Sequence, residues 1–184
     1  MKRILAIALF LLMVIACNRT DNTFLITNDN VGVLRKNTPI SKLDSIYAKD
    51  SLVNTTFEGE LRYASTERII IFEKGGKELL EITPAVNADN EKVVESVQIL
   101  DSRFITEQGI SLASTYKDIK KLYKDFDIQQ TLSSILITIP NRNYYFTINK
   151  SDVKSKNFGL SSEITKNDIE EDAKLSRIVI TWDL

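Results

Sequence analysis

The stretch RIIIFEKGGKELLEI, residues 68–82, decides the fold. Ile69 to Phe72 form a short apolar run, and Leu79, Leu80 and Ile82 bring the apolar character back after a turn. Between them, Gly75 and Gly76 can take the positive φ that a tight reversal needs. The pattern predicts a β-hairpin. Gly76-Lys77 has the look of a phosphate loop, but the upstream glycine and the following Ser or Thr are missing, so no nucleotide site is read there.

The same grammar extends outward. VVESVQILD (93–101) predicts another strand after the polar loop of residues 87–90. LSSILITIPNRNYYFTINK (132–150) predicts a second hairpin that turns at residues 140–143. KLSRIVITW (174–182) predicts a closing strand, in which Arg177, Val179 and Thr181 alternate with Ile178, Ile180 and Trp182. Residues 24–37 read as extended, with a turn at Asn28-Asp29-Asn30, and residues 150–163 as a long polar loop.

Two segments carry helical periodicity instead. In TPISKLDSIYAKD (38–50), Thr38 suits an N-cap and Pro39 the first helical position, and Ile40, Leu43, Ile46 and Tyr47 make one stripe. This predicts a helix over 39–48. Tyr116, Ile119, Leu122, Tyr123 and Phe126 make a second stripe. At an offset of 76 residues, Ile40, Leu43, Ile46 and Tyr47 fall on Tyr116, Ile119, Leu122 and Tyr123. The expected class is therefore α+β: a mainly antiparallel sheet with two short amphipathic helices, and a candidate duplication of a helix–hairpin–strand unit.

The amino-terminal end carries an address. Lys2 and Arg3 precede 13 residues, Ile4 to Ala16, without a charge. Such a run is too short for a bilayer span of about 20 residues and fits a signal-peptide core. It ends in Val14-Ile15-Ala16-Cys17, which resembles the lipobox of bacterial lipoproteins. That resemblance implies cleavage before Cys17, a diacylglycerol on its thiol and usually an acylated amine. The expected organisation is a signal peptide over 1–16, a lipidated tether over 17–23 and one α+β domain over 24–184. Removing Lys2 and Arg3 from the 24 basic residues leaves 22 against 25 acidic, a net charge of −3. Asn18, not Asp, follows Cys17, which by analogy with enterobacterial sorting implies the outer membrane. No acidic export run follows, so the periplasmic face is expected rather than the cell surface.

The chain has 184 residues, enough for one real core. It contains no histidine, which excludes Ser-His-Asp triads, Cys-His dyads and histidine-based zinc sites. Its one cysteine cannot form an internal disulfide. Near-balanced charge gives no reason to expect nucleic acid.

Three segments carry a further resemblance. VGVLRKNTPIS (31–41), SVQILDSRFITEQGISL (96–112) and LSRIVITW (175–182) are similar, in order and spacing, to the RpoE-regulated lipoprotein family of bacterial outer membranes. The residues that carry it are Gly32, Thr38-Pro39, Leu100-Asp101-Ser102, Gly109 and Trp182. Ala113 departs from it, since the family often has glycine within that stretch. The resemblance implies an envelope lipoprotein domain of unknown molecular function and brings no catalytic residue with it.

Other candidates are weaker. Asp168, Glu170, Glu171 and Asp172 offer oxygen ligands but lack calcium-loop spacing, and Asp89 and Glu91 offer fewer, so no metal or cofactor is expected. Lys117, Lys121 and Lys124 share a helix face, with Lys120 nearby, and read as a solvated face before a lipid-headgroup contact. Tyr144, Tyr145 and Phe146 read as strand packing before a sugar platform, with Tyr145 turned away from its neighbours. Ser151, Lys154, Ser155 and Lys156 lie in a polar stretch, where a Ser-Lys nucleophile has no burial to activate it. Asp44-Ser45-Ile46 and Asp50-Ser51-Leu52 match a short O-glycosylation signal that is common by chance. The expected function is a non-enzymatic envelope module, held to the membrane by Cys17 and acting on an envelope protein partner. A small-ligand or glycan binder is the alternative, and a carboxylate-dependent hydrolase the less favoured one.

Overall fold

The computed structural model describes residues 22–55, 67–154 and 164–183. Its dominant element is an eight-stranded sheet. The strands are β4 (Ser51–Thr55), β5 (Arg68–Phe72), β6 (Glu78–Val86), β7 (Lys92–Ile99), β9 (Asp127–Gln130), β10 (Ser134–Thr138), β11 (Tyr144–Asn149) and β12 (Leu175–Thr181). They lie in the order β4-β5-β6-β7-β12-β11-β10-β9, antiparallel throughout. Each half of the chain thus supplies a four-stranded meander, and the two meet where β7 pairs with β12.

A four-stranded sheet covers part of one face: β1 (Leu25–Ile26), β2 (Asn30–Val31), β3 (Leu34–Arg35) and β8 (Ile105–Thr106), ordered β3-β2-β1-β8. β1 and β8 run parallel, which ties the amino-terminal lead-in to the middle of the chain. Gly32 sits between β2 and β3 at φ 57°, and an added Cβ would stand 2.2 Å from the Thr23 carbonyl oxygen. Neither the backbone angle nor the space there admits a side chain.

The expected α+β class with two amphipathic helices is corrected: the described chain is mostly β, with twelve strands in two sheets. The segment expected as a helix over 39–48 is a 3₁₀ turn, Ile40–Lys42, running into one α turn, Leu43–Ile46. Thr38 does not cap it. Its hydroxyl donates to the Arg35 carbonyl and accepts from the Arg35 N–H, which closes the turn after β3. The Val94 N–H donates to the Thr38 carbonyl, so the segment is held flat against β7. Leu43 and Tyr47 are buried while Ile46 is exposed, too few inward positions to hold a longer helix.

The second stripe gives one true helix, α1 (Tyr116–Leu122), of seven residues. Asp118 accepts from the backbone N–H and the hydroxyl of Thr115, which fixes its start. Tyr123 is already extended, so Tyr123 and Phe126 reach the core from a non-helical segment. The two segments that suggest the repeat are thus one helical turn and one helix, and each precedes a four-stranded meander. Aromatic and β-branched residues satisfy a helical spacing by accident when a chain bends over a sheet.

The hairpins form as the sequence predicts. Gly75 and Gly76 stand at φ 116° and 88° between β5 and β6, and Asn141 at φ 61° turns β10 into β11. The core follows from alternation. Ile69, Ile82, Val97, Ile180 and Tyr144 form one cross-strand row, all buried. Phe146 pairs with Ile178 on one side and Ile137 on the other. Onto this face pack Ile26, Val31, Leu34, Phe104, Ile110, Tyr116 and Ile119. Each such side chain contributes about 1.5–3 kcal/mol by leaving water. Register breaks at Ile71/Phe72, Thr83/Pro84 and Thr147/Ile148 bend the strands. The opposite face of the large sheet carries no layer of described residues.

Candidate functional site

That second face is the clearest candidate surface. Strand alternation puts Ile70, Glu81, Gln98, Val179, Tyr145, Thr138 and Asp127 in one row running from β5 to β9. Its middle is depressed into a groove of about 500 Å³ lined by Arg68, Glu81, Thr83, Glu95, Ser96, Gln98, Tyr145, Arg177 and Val179. Five neighbouring strands contribute, so the groove crosses the sheet. Every strand beneath it is paired on both sides, which fixes the spacing of its polar groups.

The two arginines differ. The Arg68 guanidinium donates to Glu81 Oε1 at 3.1 Å and to Thr83 Oγ1 at 2.7 Å. It is a braced part of the floor. The Arg177 guanidinium is exposed and has no hydrogen bond or ion pair with a described residue. The Glu95 carboxylate likewise has no described partner, and it stands at the irregularity where β7 is shifted against β6. Tyr145 is half-buried, with its ring on the open face, while Tyr144 and Phe146 point into the core. Tyr144 donates its hydroxyl to Gln108 Oε1 at 2.9 Å, and burial raises its pKa. The three aromatics therefore split as alternation predicts.

A second groove of about 500 Å³ lies where the chain enters the domain, lined by Phe24, Val33, Ile46, Tyr47, Leu79 and Phe104 among others. Phe24 packs edge-on against Phe104 at 5.0 Å, and the Arg103 guanidinium covers its ring at 4.5 Å. The tether expected at 17–23 leads to this end of the molecule.

The remaining sequence candidates are dispersed. Cys17 lies outside the described residues, as do Ser155 and Lys156. Asp168 accepts from the N–H and hydroxyl of Thr165, which lower its pKa. Glu171 accepts from Lys120 at 2.8 Å. No group of three or more His, Cys, Asp or Glu among the described residues is placed to hold a metal ion. Lys117, Lys121 and Lys124 are exposed on and just beyond α1. Ser151 donates to Asp152 and the Lys154 ammonium to the Asn167 carbonyl, both on the surface. Ser45 donates to the Lys42 carbonyl within the helical turn, and Ser51 begins β4. Among the described residues, no helix is long and apolar enough to cross a membrane.

The groove residues on β6 and β7 were not singled out by sequence reasoning. Their signal is the polar half of each alternating strand: Glu81 and Thr83 between Leu80, Ile82 and Pro84, and Ser96 and Gln98 around Val97.

Comparison with known proteins yields one likeness. No protein-family model matches the chain, and no curated protein matches its sequence. Among solved structures, the crystal structure of the uncharacterized protein yfeY from Escherichia coli is similar, with a TM-score of 0.57. The match has 12% identity and covers 85% of this chain and 99% of that one. At that identity the likeness shows a shared fold alone.

Proposed function

We propose that this chain is a cell-envelope lipoprotein, acylated at Cys17, whose body is a non-enzymatic binding module. The observation that carries the reading is the ordered amino-terminal signal: Lys2-Arg3, 13 uncharged residues, then Val14-Ile15-Ala16-Cys17. The fold shared with an Escherichia coli protein is in keeping with membership of the RpoE-regulated lipoprotein family. The outer membrane, on its periplasmic side, is the proposed site.

Geometry supports the arrangement. Thr23 is the sixth residue after Cys17, a reach of at most about 20 Å. The anchored domain would stay close to the bilayer, with its amino-terminal groove on the tethered side. Acyl chains gain about 0.8 kcal/mol per buried CH₂, so two or more hold such a domain firmly without a spanning helix. Binding is favoured as the activity because the open face offers a fixed array of polar groups.

The thiol is the test. In the native envelope, a Cys17→Ser variant is expected to lose incorporated acyl label and to leave the membrane fraction. Unchanged membrane retention would contradict the anchor.

A further inference from the structure

We infer that the open-face groove binds an acidic oligosaccharide, with Arg177 receiving the carboxylate and the floor receiving hydroxyls. This rests on the reading of the body as a binding module and names its ligand class.

The groove is longer than a lone anion needs. Arg177 lies five residues before Trp182, whose N–H donates to the Glu95 carbonyl. At about 3.3 Å per residue, the Arg177 and Glu95 ends of the groove stand about 16 Å apart. Over that length the floor offers short, mixed donors and acceptors: Thr83, Ser96, Gln98 and the braced Arg68–Glu81 pair. Groups that both donate and accept suit a chain of hydroxyls. The Tyr145 ring supplies one flat apolar surface of the kind a sugar face covers.

Charge separates the ends. Arg68 is spent on Glu81 and Thr83, whereas the Arg177 guanidinium gives no donor to a described residue, and its donors match a carboxylate bidentately. Glu95 at the far end, whose carboxylate has no partner among the described residues, offers acceptors to hydroxyl donors and repels a second acid there. Two guanidiniums against two carboxylates make a poor track for a polyanionic nucleic acid. A protein partner would need buried aromatic or aliphatic anchors, and among the described residues the groove offers only Tyr145 and Val179. Strand addition is closed as well, because the strands under the groove are interior to the sheet.

The test is titration calorimetry on the full chain in detergent, with an aldotriouronic acid (one glucuronic acid on xylobiose) as the acidic probe and xylotriose as the neutral one. The acidic probe is expected to bind measurably and xylotriose at least about tenfold more weakly, as loss of one bidentate charge-assisted contact implies. Arg177→Ala should weaken the acidic probe by about the same factor and xylotriose by less. Tyr145→Ala should weaken both, and Lys117→Ala on α1 neither. Absence of heat with the aldotriouronic acid, or equal affinity of the Arg177→Ala variant for it, overturns the inference. Preference for xylotriose does the same. None of these outcomes depends on acylation of Cys17, so the anchor stands or falls separately.

Discussion

Trp182→Ala is expected to destabilise the fold by about 3–5 kcal/mol, the usual cost of emptying a large aromatic site in a core. Trp182 is 1% exposed, the largest of the fully buried side chains, and stands one residue beyond β12. Its indole N–H donates to the Asn28 carbonyl at 2.7 Å, across 154 residues of chain. Asn28 is itself a junction: its amide donates to the Asn141 carbonyl, and its side-chain oxygen accepts from the Asn143 N–H. The substitution therefore removes core volume and loosens the turn of the small sheet from the β10–β11 hairpin. Urea unfolding followed by far-ultraviolet circular dichroism measures the change, since the variant has no tryptophan left to fluoresce. Trp182→Phe should recover most of the packing and still lack the bond to Asn28, costing about 1 kcal/mol for that bond alone. A loss below about 1 kcal/mol in the alanine variant would mean that this end of the chain is not packed as described.

Asp101→Asn carries the second large effect, about 2–3 kcal/mol at neutral pH. The Asp101 side chain is fully buried, and its carboxylate accepts from the Arg103 N–H at 2.9 Å, from Arg103 Nη2 at 2.7 Å and from Lys77 Nζ at 2.9 Å. Arg103 in turn donates to both oxygens of Glu73. The cations are partly in water, so the pairs are discounted and the buried hydrogen bonds dominate. Burial pushes the Asp101 carboxyl up, but the hydrogen bonds from Arg103 and Lys77 outweigh it and hold the group well below the usual carboxylate range. A depressed folded pKa sets the sign. The stabilisation is fully present above the unfolded value of about 3.9 and is lost as pH falls from there toward the folded value. Wild-type urea midpoints should drop as pH falls below about 4, and the Asp101→Asn variant should drop less. Equal slopes in the two proteins would remove Asp101 from the linkage.

Both effects lie in elements whose importance was partly visible in the sequence. Trp182 closes an alternating strand in which Ile178 and Ile180 also point inward, and period two is a strong local signal. The hairpins at Gly75-Gly76 and at Asn141 were legible for the same reason, because turn chemistry and alternation agree there. Asp101 was legible as part of a family-like segment, not as a buried acid, since the hairpin brings its partner Lys77 and the Glu73 that holds Arg103. The helices misled. Ile40, Leu43, Ile46 and Tyr47 have helical spacing, but the segment is pinned by hydrogen bonds of Thr38 to Arg35 and Val94, which no local pattern records. Strands β4 and β9, SLVNT and DIQQ, sit at the two edges with mostly exposed side chains, so neither carries an apolar run to announce it. The groove was half legible. Alternation assigns Tyr145 and Arg177 to the polar side of their strands, but only the order β5-β6-β7-β12-β11 sets them beside Gln98 and Arg68.

The central claim is that this sheet works from a membrane to which Cys17 fastens it. The mass of the amino-terminal peptide of the mature protein, purified from its native membranes, tests that claim most directly. The account predicts a chain that begins at Cys17 and carries acyl chains on its thiol. A chain that retains residues 1–16, or one with a free thiol at Cys17, would contradict it.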